Sequence, residues 1–202
     1  MSKVYPQEDI VLSSSLATTS SEREVFTIWM KSLVMQGNGC TVYDSNGQVV
    51  YRIDNYDNKN CNEVHLMDLK GKVLFTILRK KLRLFGRWEG YKSTNGSKGK
   101  PWFQVRKNLN SNTGVDVTVM KGSDETGTHC YRMERLKGSG SKLACKIMDV
   151  QTGRVVAELK QKQSSGGVVL GDDVMGLVVE PNVDHSFIMG LIVVHGLISH
   201  KM

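Results

Sequence analysis

DHSFIMGLIVVHGLISHKM, residues 184 to 202, contains the feature on which the fold turns. From Phe187 to Ile198 there are only apolar residues, two glycines and one histidine, His195. The run has no period-two alternation, and Asp184 ahead of it can act as an N-cap, its side-chain oxygen accepting a backbone amide proton; the stretch therefore predicts a helix. A helix that is apolar on every side needs apolar surroundings on every side. Crossing a bilayer takes roughly 20 apolar residues, whereas a run of about 10 to 14 more often forms a buried core helix. The twelve-residue run, the helix-weakening Gly190 and Gly196, and the lack of a basic flank in front of it favour burial in protein. No transmembrane segment is expected.

The rest of the chain supplies the walls. TVYDSNGQVVYRI from Thr41, HLMDLKGKVLFTI from His65 and KIMDVQTGRVVAEL from Lys146 share one pattern: apolar residues, Asp, two or three turn residues, Gly, then a β-branched or apolar run. Asp44, Asp68 and Asp149 start the turns through their side chains. Gly47, Gly71 and Gly153 supply the positive φ of a tight hairpin. Further strand-like runs are Val25 to Met35, Arg87 to Lys92, Trp102 to Lys107, Val115 to Lys121, His129 to Leu136, Gly167 to Leu170 and Val174 to Glu180. The Gly/Ser/Asn-rich connections between them leave no room for helices. About a dozen short strands predict a mainly β fold, a closed barrel or sandwich, and a small barrel can hold a helix along its axis. Residues 1–24, Ser/Thr-rich and aperiodic, predict a flexible arm, and residues 25–202 one domain.

Composition narrows the function classes. Hydrophobic content of 40% and charged content of 23% are ordinary globular values. The start of the chain has no secretory pattern, so a cytoplasmic location is expected, with a peripheral membrane or nuclear site as the alternative. Cys40, Cys61, Cys130 and Cys145 fall at irregular spacings, which disfavours a zinc site or a disulfide framework and predicts reduced, mostly buried thiols. The formal net charge of +7 is concentrated: the segment from Lys70 to Lys92 holds eight Lys/Arg and one acid, Glu89, and the remainder is balanced.

Within that segment a strand from Lys72 to Leu84 would place Leu74, Leu78, Leu82 and Leu84 on an inner face. Val73, Phe75 and Ile77 would lead on the outer face into Arg79, Lys81 and Arg83, with Lys80 and Arg87 nearby. Such a stripe would attract lipid phosphates, each base near an anionic surface contributing on the order of 1 kcal/mol. The plainer reading is a solvated face that protects an edge strand. Tyr91, Trp102 and Phe103 do not interleave with the bases as a stacking platform would, which disfavours nucleic acid.

Other motifs give way to structural readings. Gly171-Asp172-Asp173 is a turn before Val174, and the three hairpin aspartates lack the successive oxygen ligands that calcium needs. The histidines form no metal pattern, and His195 is expected to be a core histidine bonded to a backbone carbonyl. No nucleophile elbow, P-loop or dinucleotide fingerprint is present, so no enzyme activity and no cofactor are expected.

The ordered combination of YDSNGQVVYRI, LMDLKGKVLFTILRKKLRLFGRWEGY and PNVDHSFIMGLIVV, with Pro181, Asp184 and Phe187 in the last, resembles the plant LURP-one-related proteins. The resemblance covers nearly the whole chain beyond the arm. It implies a Tubby C-terminal-like fold, shared with phospholipid scramblases: about twelve strands closed around a hydrophobic C-terminal helix. It further implies a non-enzymatic binding or regulatory role in plant defence, including basal resistance to pathogens such as oomycetes. Phosphoinositide or other anionic phospholipid is the implied ligand. A protein-interaction adaptor with unknown partners, or a membrane-tethered transcription regulator, is the alternative.

Overall fold

The three Asp-turn-Gly stretches fold into the same hairpin. In each, one carboxylate oxygen of the leading aspartate accepts two backbone amides of the turn: Asn46 and Gln48 on Asp44, Lys70 and Lys72 on Asp68, Gln151 and Thr152 on Asp149. Gly47, Gly71 and Gly153 have φ of 77°, 79° and 69°. Each hairpin also shifts register by one residue just before its turn, at Val42/Tyr43, Leu66/Met67 and Ile147/Met148. That bulge belongs to a hairpin in which a turn is closed by a left-handed glycine.

The computed structural model describes residues 18–30, 38–55, 62–80, 87–93, 100–107, 114–119, 129–164, 166–171 and 173–199. The strands are β1 (Glu24–Trp29), β2 (Asn38–Tyr43), β3 (Val49–Asn55), β4 (Glu63–Asp68), β5 (Val73–Lys80), β6 (Arg87–Lys92), β7 (Phe103–Lys107), β8 (Gly114–Val119), β9 (His129–Arg135), β10 (Cys145–Asp149), β11 (Val155–Gln161) and β12 (Val174–Val179). The helix α1 (His185–Ile198) follows. Each strand pairs antiparallel with its neighbours in sequence, and β1 closes on β12. The result is a closed barrel around a helix, as the repeats and the apolar run predict. One expected strand is absent: Gly167 to Leu170 forms only a single bridge, Gln163 to Val169, in a small hairpin projecting between β11 and β12. Turn-forming glycines and serines leave too short a run there to join the barrel.

About eight strands make a barrel whose interior is just filled by side chains, so twelve leave axial space, and a helix with side chains is about 10–12 Å across. α1 occupies that space: every residue from His185 to Leu197 is buried. Around it stand inward residues such as Phe26, Ile28, Phe75, Ile77, Phe103, Val105, Met175 and Leu177, all buried in one continuous core.

The chain turns into the helix through Pro181 and Asn182, the latter left-handed with φ 62°. Asp184 then caps the helix, accepting the amides of Ser186 at 2.9 Å and Phe187 at 3.2 Å. Residues 1–17 of the expected arm lie outside the described residues. Its last part is fixed across this turn: the Asn182 amide donates to Ser20 O and the His185 amide to Thr18 O, both at 2.7 Å, and Arg23 pairs with Glu180 at 2.8 Å. Asp184→Ala should lower stability by about 1–2 kcal/mol, read as a shift of the urea midpoint at unchanged slope.

Because successive strands reverse direction, all connections fall at two ends. The three aspartate hairpins and the β12–α1 turn lie at one, here the capped end. The β5–β6, β9–β10 and β11–β12 connections and the C-terminus of α1 lie at the far end.

Candidate functional site

Of the candidate cations, Arg79, Lys80 and Arg87 sit where β5 ends and β6 begins, at the far end. Pairing sets Arg79 opposite Trp88 and Lys80 opposite Arg87. The expected facing of β5 is reversed. Phe75 and Ile77 are fully buried, whereas Leu74 and Leu78 are only half-buried on the outside. Both faces of this strand are apolar, so alternation cannot choose between them; the choice is made by Phe75, whose ring packs 5.7 Å from Trp102 and 5.6 Å from Phe103.

Arg79 therefore continues the interior row to the rim. It is exposed there, its guanidinium 5.9 Å from the centre of the Trp88 ring, and it has no acidic partner among the described residues. Lys80 and Arg87 belong to the outer face and converge on Glu89, at 3.9 Å and 2.8 Å. Glu89 is 3% exposed and also accepts from the Tyr91 hydroxyl at 2.6 Å and from Gln104 Nε2 at 3.3 Å. A carboxylate so far out of water is tolerable only with such partners. Burial, reinforced by the bond to Glu89, pushes the Tyr91 hydroxyl up to about 12. Lys80 and Arg87 thus hold a buried acid in addition to presenting charge. Lys81 and Arg83 lie outside the described residues. Glu89 is the residue that sequence reasoning passed over, although a lone acid two positions from Arg87, on the same strand face, was a usable signal.

The capped end is organised differently. Lys92 reaches Asp184 at 3.6 Å and lies 5.3 Å from the Trp102 ring centre. Trp102 and Phe103 in turn pack edge-on against Phe187 of the helix. Asp44, Asp68 and Asp149 are occupied by their own turns. Asp173 anchors β12 to β1, accepting from Trp29 Nε1 at 3.1 Å, while Asp172 lies outside the described residues. No group of three His, Cys, Asp or Glu among the described residues could hold a metal ion. Cys40 and Cys145 are buried free thiols, and burial pushes the Cys145 thiol up to about 12; Cys130 is half-buried and free, and Cys61 lies outside the described residues.

His195 sits near the far end of α1, 8% exposed, and neither ring nitrogen makes a well-aligned hydrogen bond. Desolvation holds its pKa below the ordinary histidine range; the nearby Leu143 carbonyl works in the opposite direction and is the only trace of the expected backbone bond. A depressed histidine pKa stabilises the fold above the unfolded-state value of about 6.5 and loses that contribution as pH falls below it. His195→Leu should therefore flatten the loss of stability below about pH 6.5, measured as denaturation midpoints across the acid range.

No helix among the described residues is long and apolar enough to cross a membrane. The molecule is thus a closed antiparallel barrel built round its own C-terminal helix, with an exposed cationic rim at the end opposite the helix cap. The family model described as LURP-one-related matches residues 24–196, and the chain belongs to that family. It is 45% identical to protein LURP-one-related 11 of Arabidopsis thaliana over 98% of this chain and 89% of that protein. It is 43% identical to LURP-one-related 3 of the same plant, over 100% and 94%. The fold is similar to the crystal structure of an Arabidopsis thaliana protein, with a TM-score of 0.62 at 19% identity, covering 90% of this chain and 94% of that one.

Proposed function

We propose that this LURP-one-related chain is a non-enzymatic binding module of plant defence that meets anionic phospholipid through the far end of the barrel. The observation that carries this reading is Arg79: exposed at the rim, stacked on Trp88, and without an acid among the described residues. A guanidinium with no acid beside it among the described residues is available to a phosphate and matches its geometry. The LURP-one-related family membership supports the regulatory part of the reading.

The test is vesicle flotation with phosphatidylcholine membranes containing a phosphoinositide. Arg79→Gln combined with Lys81→Gln and Arg83→Gln is the informative variant, because Lys80 and Arg87 are engaged with Glu89 and their loss would disturb the fold. Binding at low salt that falls about tenfold or more in the variant supports the reading, each base near an anionic surface contributing on the order of 1 kcal/mol. No binding by the unaltered protein at low salt, or unchanged binding by the variant, would overturn it. In that event the same material serves to recover a protein partner.

A further inference from the structure

The hairpin between β11 and β12 has no packing reason for its sequence. It is closed by bonds from the Ser164 amide to Val168 O at 2.8 Å and from the Leu170 amide to Lys162 O at 3.1 Å, and Gly167 turns it with φ 78°. Its returning arm carries Val168, Val169 and Leu170, which are 68%, 46% and 50% exposed. Three consecutive large apolar side chains on a projecting turn gain nothing from the barrel core. Runs of this kind in a folded protein mark a contact surface.

The neighbouring β9–β10 connection supplies a second, independent observation. Arg135 at the end of β9, and Lys137 and Lys142 on the connection, are exposed, and none has an acidic partner among the described residues. The connections flank a groove of about 710 Å³, with Leu136 and Lys137 on one side and, on the other, Gln163 and Val169 beside the β11 pair Glu158 and Lys160, which bond each other at 2.8 Å. Val169 of the apolar tip and Lys137 line this groove together, and Arg135 and Lys142 lie at the same far end, the end of Arg79 and opposite the aspartate turns.

An apolar protein partner would favour the tip but would gain nothing from leaving three cations unpaired around it. A bilayer bearing anionic headgroups satisfies both at once, taking the apolar side chains at the acyl boundary and the bases at the phosphate level. We infer that the Val168–Leu170 tip inserts into the surface of an anionic bilayer, with Arg135, Lys137 and Lys142 holding the headgroups beside it. This rests on the lipid reading above and adds to it a penetrating element on the other side of the same rim. In the ring of strands the β11–β12 hairpin lies diametrically across from β5–β6, so both cationic segments can face one plane.

The experiment uses the full chain with sedimented vesicles of phosphatidylcholine alone and of phosphatidylcholine with phosphatidylserine, at low and high salt. The variants are Val168→Ser/Val169→Ser/Leu170→Ser and Arg135→Gln/Lys137→Gln/Lys142→Gln, each first shown to melt like the unaltered protein. Moving the three side chains out of water should be worth at least about tenfold in partitioning. The serine variant is expected to bind phosphatidylserine vesicles about tenfold or more weakly at both salt concentrations, and the glutamine variant to lose mainly the low-salt binding. Loss of binding in the Arg79 variant with none in the serine variant would overturn the tip and leave the lipid reading standing. Equal binding to both vesicle types, abolished in the serine variant, would support insertion and overturn the requirement for anionic lipid. No vesicle binding by the unaltered protein would overturn both.

Discussion

Gly90→Ala is expected to destabilise the protein by about 3 kcal/mol or more, at or beyond the upper range for overpacking a filled core. A Cβ built on Gly90 would lie 2.0 Å from Phe103 Cε1 and 2.2 Å from Cζ. A ring that close must move, and Phe103 has nowhere to go. It is fully buried, with the rings of Phe75 at 5.6 Å and Phe187 at 5.8 Å, and Gly190 of the helix faces the same ring edge. Gly90 on β6 and Gly190 on α1 thus form the two sides of a slot for one aromatic ring. A chain of this length loses about 2–4 °C of Tm per kcal/mol, so a drop near 10 °C is expected in thermal melts. Phe103→Leu in the Gly90→Ala background should recover part of that loss, because it removes Cε1 and Cζ, the two atoms that clash most closely. Wild-type stability of Gly90→Ala would contradict the packing described. So would strict additivity of the two changes in a double-mutant cycle.

Removal of Phe187 to Ile198 should have a larger effect still, abolishing recovery of soluble, monodisperse protein. The deleted residues are the axial part of the core; without them the inward rows of the strands enclose an apolar void wider than side chains can fill by collapse. A graded version keeps the test interpretable: Leu191→Ala, at a fully buried position of the helix, should cost about 2–5 kcal/mol while leaving a folded protein. A helix serving as an anchor gives the opposite pattern. The deleted protein would then be the soluble one, and the full chain would stay in a carbonate-resistant membrane fraction.

Much of this architecture is legible in the residues because the chemistry that specifies it is local. Asp44, Asp68 and Asp149 announce their turns through side chains that bond amides two to four positions on, and the glycines that follow have the conformation those turns require. Asp184 likewise caps its helix from one position away. The candidate site was less legible. Arg79, Lys80 and Arg87 can be found as a concentration of charge, but the division between them cannot. Lys80 and Arg87 engage Glu89 because register places them on one face with it, and Arg79 is left at the rim by the alternation that buries Phe75. The exposed Val168–Leu170 stretch resembles a strand in sequence because its apolar run is indistinguishable, over so few residues, from one that pairs.

Local chemistry alone specifies the three aspartate hairpins, the helix cap and the need to bury the final helix, since an all-round apolar segment too short to span a bilayer has no other stable surroundings. Tertiary structure decided which face of β5 turns inward, which cations remain unpaired, and that the aspartate turns and the cationic rim occupy opposite ends. Those outcomes depend on register and on barrel closure. They are set by contacts such as Phe103 between Gly90 and Gly190, residues a hundred positions apart that no local pattern connects.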